Sequence, residues 1–247
     1  MRREAYKWGL RFGVLGFLGS AYLLASTACA LVEFYWHKND YPRLSYAAPD
    51  FRPEVKWVTE RPGEWTSLSS LPRAAWLSLI AAEDGGFLRH NGVEWRQSYA
   101  KIRADLAKGQ RPHGISTLNQ QLAKNLYFGA RPAAFRKLQE VVVAHHMDSS
   151  LGKKRVLELY LNTAEWGPNV VGIGAAARYY FNKPASRLSD YECAVLANLL
   201  PNPRVRGAWV KEGRVPGKLS RRINRTLRRL PWMEQITRAQ LLAIRDR

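Results

Sequence analysis

The chain has 247 residues, room for one substantial domain with an appendage, and 46% are hydrophobic, which excludes a disordered protein. Lys and Arg number 39 against 20 Asp and Glu, a formal charge of +19, so a polyanionic partner is expected: nucleic acid, an anionic membrane surface or a phosphorylated substrate. Two cysteines, Cys29 and Cys193, are too few for a disulfide framework or a cysteine-based zinc site.

From Phe12 to Val32 no residue is charged, and a bilayer-crossing helix takes roughly 20 residues. Arg2, Arg3, Lys7 and Arg11 precede this run and Glu33 follows it. The positive-inside tendency then places residues 1–11 in the cytoplasm, a span at 12–34 and the rest of the chain outside. A cleaved signal peptide is the rival, because Ala28-Cys29-Ala30 has the small-x-small form of a cleavage site, although its apolar region is usually only about 7–15 residues. Residues 35–66, rich in Pro, Tyr and charge without clear periodicity, are expected to form a linker.

The next stretch, 67–207, reads as one mainly α domain. Pro72 suits a first helical position, Ala75, Trp76, Leu79 and Ile80 make an apolar stripe, and Gly85-Gly86 ends that helix. A second helix is expected from Trp95 to Lys108. A third opens at Thr117 with Gln120 as capping-box partner and carries Leu118, Leu122 and Leu126. Others follow over 134–147, 153–161, 172–180 and 189–200, the last capped by Ser189 or Asp190. No strand alternation persists beyond four residues. The tail, 208–247, is strongly basic, with Leu219, Ile223, Leu227 and Leu230 at helical spacing among Arg221, Arg222, Arg225, Arg228 and Arg229. Such a helix suits either an anionic membrane surface or docking on the domain through its leucines.

Three clusters hold carboxylates, amides and cations where a packed helix has no need of them. Glu83, at the end of an apolar helix before two glycines, can stand partly desolvated as a general acid or base; surface solvation is the plain alternative. Gly114-Ile115-Ser116-Thr117 at a helix start offers free N–H groups to an anion, and Gln121, Lys124 and Asn125 follow on one helical face. Arg136 and Glu140 stand one turn apart, which alone reads as an intrahelical ion pair.

Taken in order, these residues resemble a known family. Glu83-Asp84-x-x-Phe87-x-x-His90-x-Gly92, Gly114-x-Ser116-Thr117-x-x-Gln120-Gln121-x-x-Lys124-Asn125 and Arg136-Lys137-x-x-Glu140 are followed by Lys153-x-x-Val156-Leu157-Glu158-x-Tyr160-Leu161-Asn162 and Gly172-x-x-x-Ala176-x-x-x-Tyr180-Phe181. The pattern, from about Leu68 to Pro203, is similar to glycosyltransferase family 51, specifically its monofunctional biosynthetic peptidoglycan transglycosylases. The resemblance implies a lysozyme-like bilobal domain behind one N-terminal transmembrane helix, at the bacterial inner membrane with the catalytic domain outside. It implies polymerisation of lipid II into β-1,4-linked glycan, with release of undecaprenyl pyrophosphate. Glu83 matches the base that takes the acceptor 4-hydroxyl proton. Glu140 matches the second glutamate, near the donor pyrophosphate, where it holds a divalent cation (Mg2+ or Mn2+) or orients groups. Lys124 and Lys137, with Arg136, match the cations that offset pyrophosphate charge, and Ser116, Thr117, Gln121 and Asn125 the lining of sugar and phosphate subsites. Asp84, Phe87, His90 and Glu158 match supporting residues.

Partners implied are lipid II, the nascent strand, the membrane, and other cell-wall synthases or division proteins. Nucleic acid is not expected as a partner, since the domain is placed outside the cytoplasm. Three positions depart from the family pattern: Asn119 where Thr or Ser is usual, Arg131 one residue off a phosphate-binding arginine, and Glu94 near the usual Asp. A lytic glycosidase and a non-catalytic binder of the precursor remain as alternatives.

Overall fold

The computed structural model describes residues 2–47, 52–111, 115–129 and 133–245, excepting the side chains of residues 2–18, 46, 47, 52, 133–135 and 234–245. The apolar run lies in helix α1 (Arg2–His37), and its first part, from Phe12, falls among side chains outside those described. Among the described residues no helix is long and apolar enough to cross a membrane. The end of α1 is built into the protein. Phe34 is fully buried, edge-on to Tyr127, and the Tyr35 hydroxyl meets His146 Nδ1 at 2.8 Å.

The expected linker contains an antiparallel hairpin, β1 (Tyr41–Ala47) with β2 (Arg52–Val58), pairing Leu44 with Val55 and Pro42 with Trp57. Pro42 and Pro53 hid it from the sequence reading, since proline argues against a central strand. In a two-stranded sheet every strand is an edge, and proline is tolerated there. Tyr41, Leu44, Val55 and Trp57 pack on the main core, and Trp57 stacks on His37 and Tyr127.

Mainly helical structure follows. Helix α2 (Arg73–Glu83) begins one residue after the expected position, with Pro72 as its cap, and buries Leu77, Leu79 and Ile80. Helix α3 (Trp95–Ala107) follows the first motif. Helix α4 (Leu118–Ala123) starts from the expected capping box of Thr117 and Gln120. It runs into a π-turn, Lys124–Phe128, closed by Gly129 N–H on Lys124 O at 2.8 Å. Helix α5 (Ala133–Thr163) breaks its helical geometry at Gly152, which divides it as the sequence implies. A small hairpin, β3 (Glu165–Gly167) and β4 (Val170–Val171), leads to α6 (Ile173–Phe181) and α7 (Asp190–Leu199), the latter capped by Ser189 and Glu192.

The basic segment forms α8 (Pro203–Lys211) and α9 (Gly217–Arg245). Of the two fates open to it, docking is the one observed. Leu219, Ile223 and Leu230 are buried, each contributing about 1.5–3 kcal/mol before the entropy of ordering. Asn198 Nδ2 on α7 donates to Thr226 Oγ1 at 3.0 Å, and Arg229 Nη1 donates to Ala81 O on α2 at 2.9 Å. The residues from 208 onward therefore begin as a wall of the domain rather than a separate tail.

Candidate active site

Apolar burial of α2 carries Glu83 to the last position of that helix, where it is half-buried. Gln121 Nε2 donates to Glu83 Oε2 across a long 3.4 Å, and the Tyr160 hydroxyl donates to Gln121 Oε1 at 2.8 Å. The tyrosine thus fixes which way the amide faces, leaving its NH2 for the carboxylate. Burial pushes the Glu83 carboxyl above the usual carboxylate range; the Gln121 bond, then Arg222 and Arg206, oppose the rise, and Asp84 adds to it. A carboxylate so partly desolvated suits proton transfer.

Asp84 turns the other way, into the core, at 6% exposure. Its oxygens accept from His90 Nε2 at 3.0 and 3.1 Å and from the Leu118 backbone N–H at 2.9 Å. One buried carboxylate so ties the first motif to the start of α4. Phe87 is fully buried edge-on to His90, with Lys153 Nζ 4.6 Å from its ring centre. Gly92 completes the loop at φ 83°, its backbone pressed on α5 so closely that a Cβ would lie 2.4 Å from Ala144 O. Asp84, Phe87 and His90 therefore hold the turn beyond Glu83.

A second carboxylate has the opposite environment. Glu140 is 5% exposed, with Arg136 Nε at 3.0 Å from one oxygen and Lys137 Nζ at 2.9 Å from the other. Lys137 also donates to Ser116 Oγ at 3.0 Å. Burial lowers the Lys124 ammonium pKa, Glu140 raises it again, and Arg136 and Lys137 add to the lowering. Ser116, Lys124, Arg136, Lys137 and Glu140 thus form one cation-rich cluster, suited to a phosphate or pyrophosphate. Both Glu140 oxygens are already bonded to cations, and among the described residues no three His, Cys, Asp or Glu gather as metal ligands.

The remaining expected residues are divided. Thr117 Oγ1 is buried, accepting from the Gln120 N–H and donating to Gly92 O at 2.6 Å, so its hydroxyl is engaged within the protein. Gln121 bonds Glu83, and Lys124 lies in the field of Glu140. Asn125 enters the π-turn. Glu158 accepts from Trp65 Nε1 at 3.0 Å and from Leu68 N–H at 2.9 Å, which fastens the approach to α2. Asn119 is buried and donates to Asp148 at 3.2 Å. Gly114 and Arg131 lie outside the described residues. The sequence reading missed Tyr160, whose place in the fourth motif was its signal, and Arg206 and Arg222, which carry no local signal.

Comparison with known proteins places the chain in one family. A family model described as Transglycosylase matches residues 53–231. A biosynthetic peptidoglycan transglycosylase of Chromobacterium violaceum is 36% identical over 234 residues, 90% of this chain and 97% of the relative. Proteins of the same name from Bordetella pertussis and Shewanella amazonensis are 34% identical over 229 residues (87% of this chain, 93% of the relative) and 46% identical over 140 residues (57% of each). The match runs from β2 into α9 and takes in both carboxylates with everything that surrounds them, and the chain belongs to the transglycosylase family.

Proposed function

We propose that this chain polymerises lipid II into β-1,4-linked glycan strands at the bacterial cell envelope, releasing undecaprenyl pyrophosphate, as its relatives' shared name suggests. The observation that carries the reading is the contrast between two glutamates. Glu83 is pushed toward the protonated form by burial and, among the described residues, meets the Gln121 amide at hydrogen-bond distance, while Glu140 is bonded by two cations. Carboxylates in environments so different serve different roles. Glu83, as base, takes the proton of the acceptor's 4-hydroxyl, and that oxygen attacks the anomeric carbon of the growing strand. The carbon–oxygen bond to pyrophosphate breaks in the same displacement, with inversion and no covalent enzyme intermediate. Lys124, Lys137 and Arg136 offset the negative charge that develops on the leaving pyrophosphate, and Glu140 keeps those cations in place.

The wider setting belongs to the same proposal. The apolar part of α1 anchors the chain by a single pass with the domain outside, in a lysozyme-like bilobal shape whose cleft lies over the membrane that delivers lipid II. Packing of Phe34 and Tyr35 on the domain supports a fixed rather than a swinging anchor. The test is polymerisation of fluorescent lipid II by the detergent-purified chain beside its Glu83→Gln variant. Glycan ladders from the parent, reduced about 100-fold or more in the variant, are expected. Lipid II bound but never polymerised, or preformed glycan shortened instead, would overturn the proposal.

A further inference from the structure

A cavity of about 770 Å³ opens beside the loop that follows Glu83, between that loop, the first turns of α3 and the middle of α5. Arg89, Asn91, Glu94, Trp95, Arg96 and His145 help to line it. Its walls are held by contacts that reach back toward the base. Arg89 Nη2 donates to Gly85 O across a long 3.4 Å, and His145 Nδ1 lies 3.1 Å from Asn91 O. The Glu94 carboxylate lies over Gly86, where a Cβ would come within 2.4 Å of Glu94 Oε2 and 3.4 Å of Gln97 Nε2. Below the loop, Gly92 is pressed on the backbone of Ala144, so this rim cannot drift from α5.

The charges on the cavity are uncommitted. Nearby acids are paired: Asp84 with His90, Asp148 with Lys153, and Glu140 with Arg136 and Lys137. Among the described residues no ion pair holds Arg89, Glu94 or Arg96, although all three line the same space. Opposite charges that face one cavity without closing on each other are each left for a ligand. A lone phosphate suits this cavity badly, because Glu94 repels it, and the cation cluster around Glu140 already fits that chemistry. A short peptide with free carboxylates and an ammonium suits it well. Guanidinium groups take carboxylates through paired hydrogen bonds, Glu94 takes the ammonium, and the amides of Asn91 and Gln97 match peptide groups. Lipid II carries a peptide branch of this kind on the disaccharide whose 4-hydroxyl meets Glu83.

We propose that this cavity is a subsite for the peptide branch of the acceptor, with Arg89 and Arg96 taking its carboxylates and Glu94 its ammonium. The cavity makes polymerisation selective for substrate with a whole, charged peptide. This rests on the reading of Glu83 as the base of glycan polymerisation.

The test is kcat/KM for polymerisation by the full chain in detergent, on lipid II with its whole peptide, with the carboxylates amidated, or with the peptide trimmed to its first residue. The parent should prefer the whole peptide by roughly 5- to 20-fold, since partly exposed charge pairs are individually weak. Arg96→Gln should shrink that preference by about threefold, and Arg89→Gln with Arg96→Gln should bring it near unity. Arg96→Glu should favour the amidated form, and acetylating the amine should cost the parent more than Glu94→Gln. A parent indifferent to the peptide would overturn the proposal, as would variants that lose activity equally on all three substrates. Arg96 is exposed, so its replacement is not expected to disturb folding, and thermal midpoints check this. Failure of the polymerisation reading looks different: the parent would make no glycan from any form. The subsite is then decided by ligand-observed NMR of the soluble muramyl peptide with the full chain. Binding lost on amidation and in Arg96→Glu upholds the subsite; no binding, or binding indifferent to both changes, overturns it.

Discussion

Asp84 offers the sharpest test of how the first motif works. Replacing it with alanine leaves two buried donors, His90 Nε2 and the Leu118 N–H, without the carboxylate they share at 2.9–3.1 Å. A stranded buried donor costs about 1–3 kcal/mol, so the pair costs roughly 2–6 kcal/mol. In a chain of this size each kcal/mol moves the midpoint by about 2–4 °C, which puts the expected fall in Tm on the order of 10 °C. Asp84→Asn keeps the shape and one acceptor oxygen, but turns an amide NH2 toward a donor, so its loss should be intermediate. Tryptophan fluorescence during heating in detergent gives the midpoints. Polymerisation measured well below all of them should fall as well, because the same carboxylate holds α4, and with it Gln121, against the end of α2. An alanine variant melting within about 2 °C of the parent would refute this account.

Other expectations follow from the same geometry. Glu83→Gln should be more stable than the parent at pH 7: burial raises the folded carboxyl above its usual 4.5, so its stabilising contribution is present below that value and lost as pH rises through the folded pKa. The difference in Tm should shrink as the buffer is taken toward pH 4; a parent more stable than the variant at pH 7 would contradict it. Gly92→Ala should destabilise by about 2–5 kcal/mol, combining a left-handed φ with overlap on Ala144 O, and urea midpoints measure it. The Cys193 thiol, 2% exposed and pushed up to about 12 by burial, should resist iodoacetamide at pH 8 until the protein unfolds, as a mass-spectrometric time course would show.

The sequence by itself determined what depends on short spacing. The capping box of Thr117 with Gln120 forms where it is read, and of the two caps open to α7 it is Ser189 that is used. Arg136, Lys137 and Glu140 meet because residues three and four apart share a helical face. Glu83 stands at the end of its helix because the apolar stripe of α2 stops there. Tertiary structure decided the rest. The β1–β2 hairpin depends on pairing that its prolines conceal. Gln121 reaches Glu83 across 38 residues, and Tyr160 orients it from 39 residues beyond. The basic helix α9 could equally have served a membrane surface. Its leucines dock it on α2 and α7 instead, because packing between distant elements is set by shape and burial that no local spacing records.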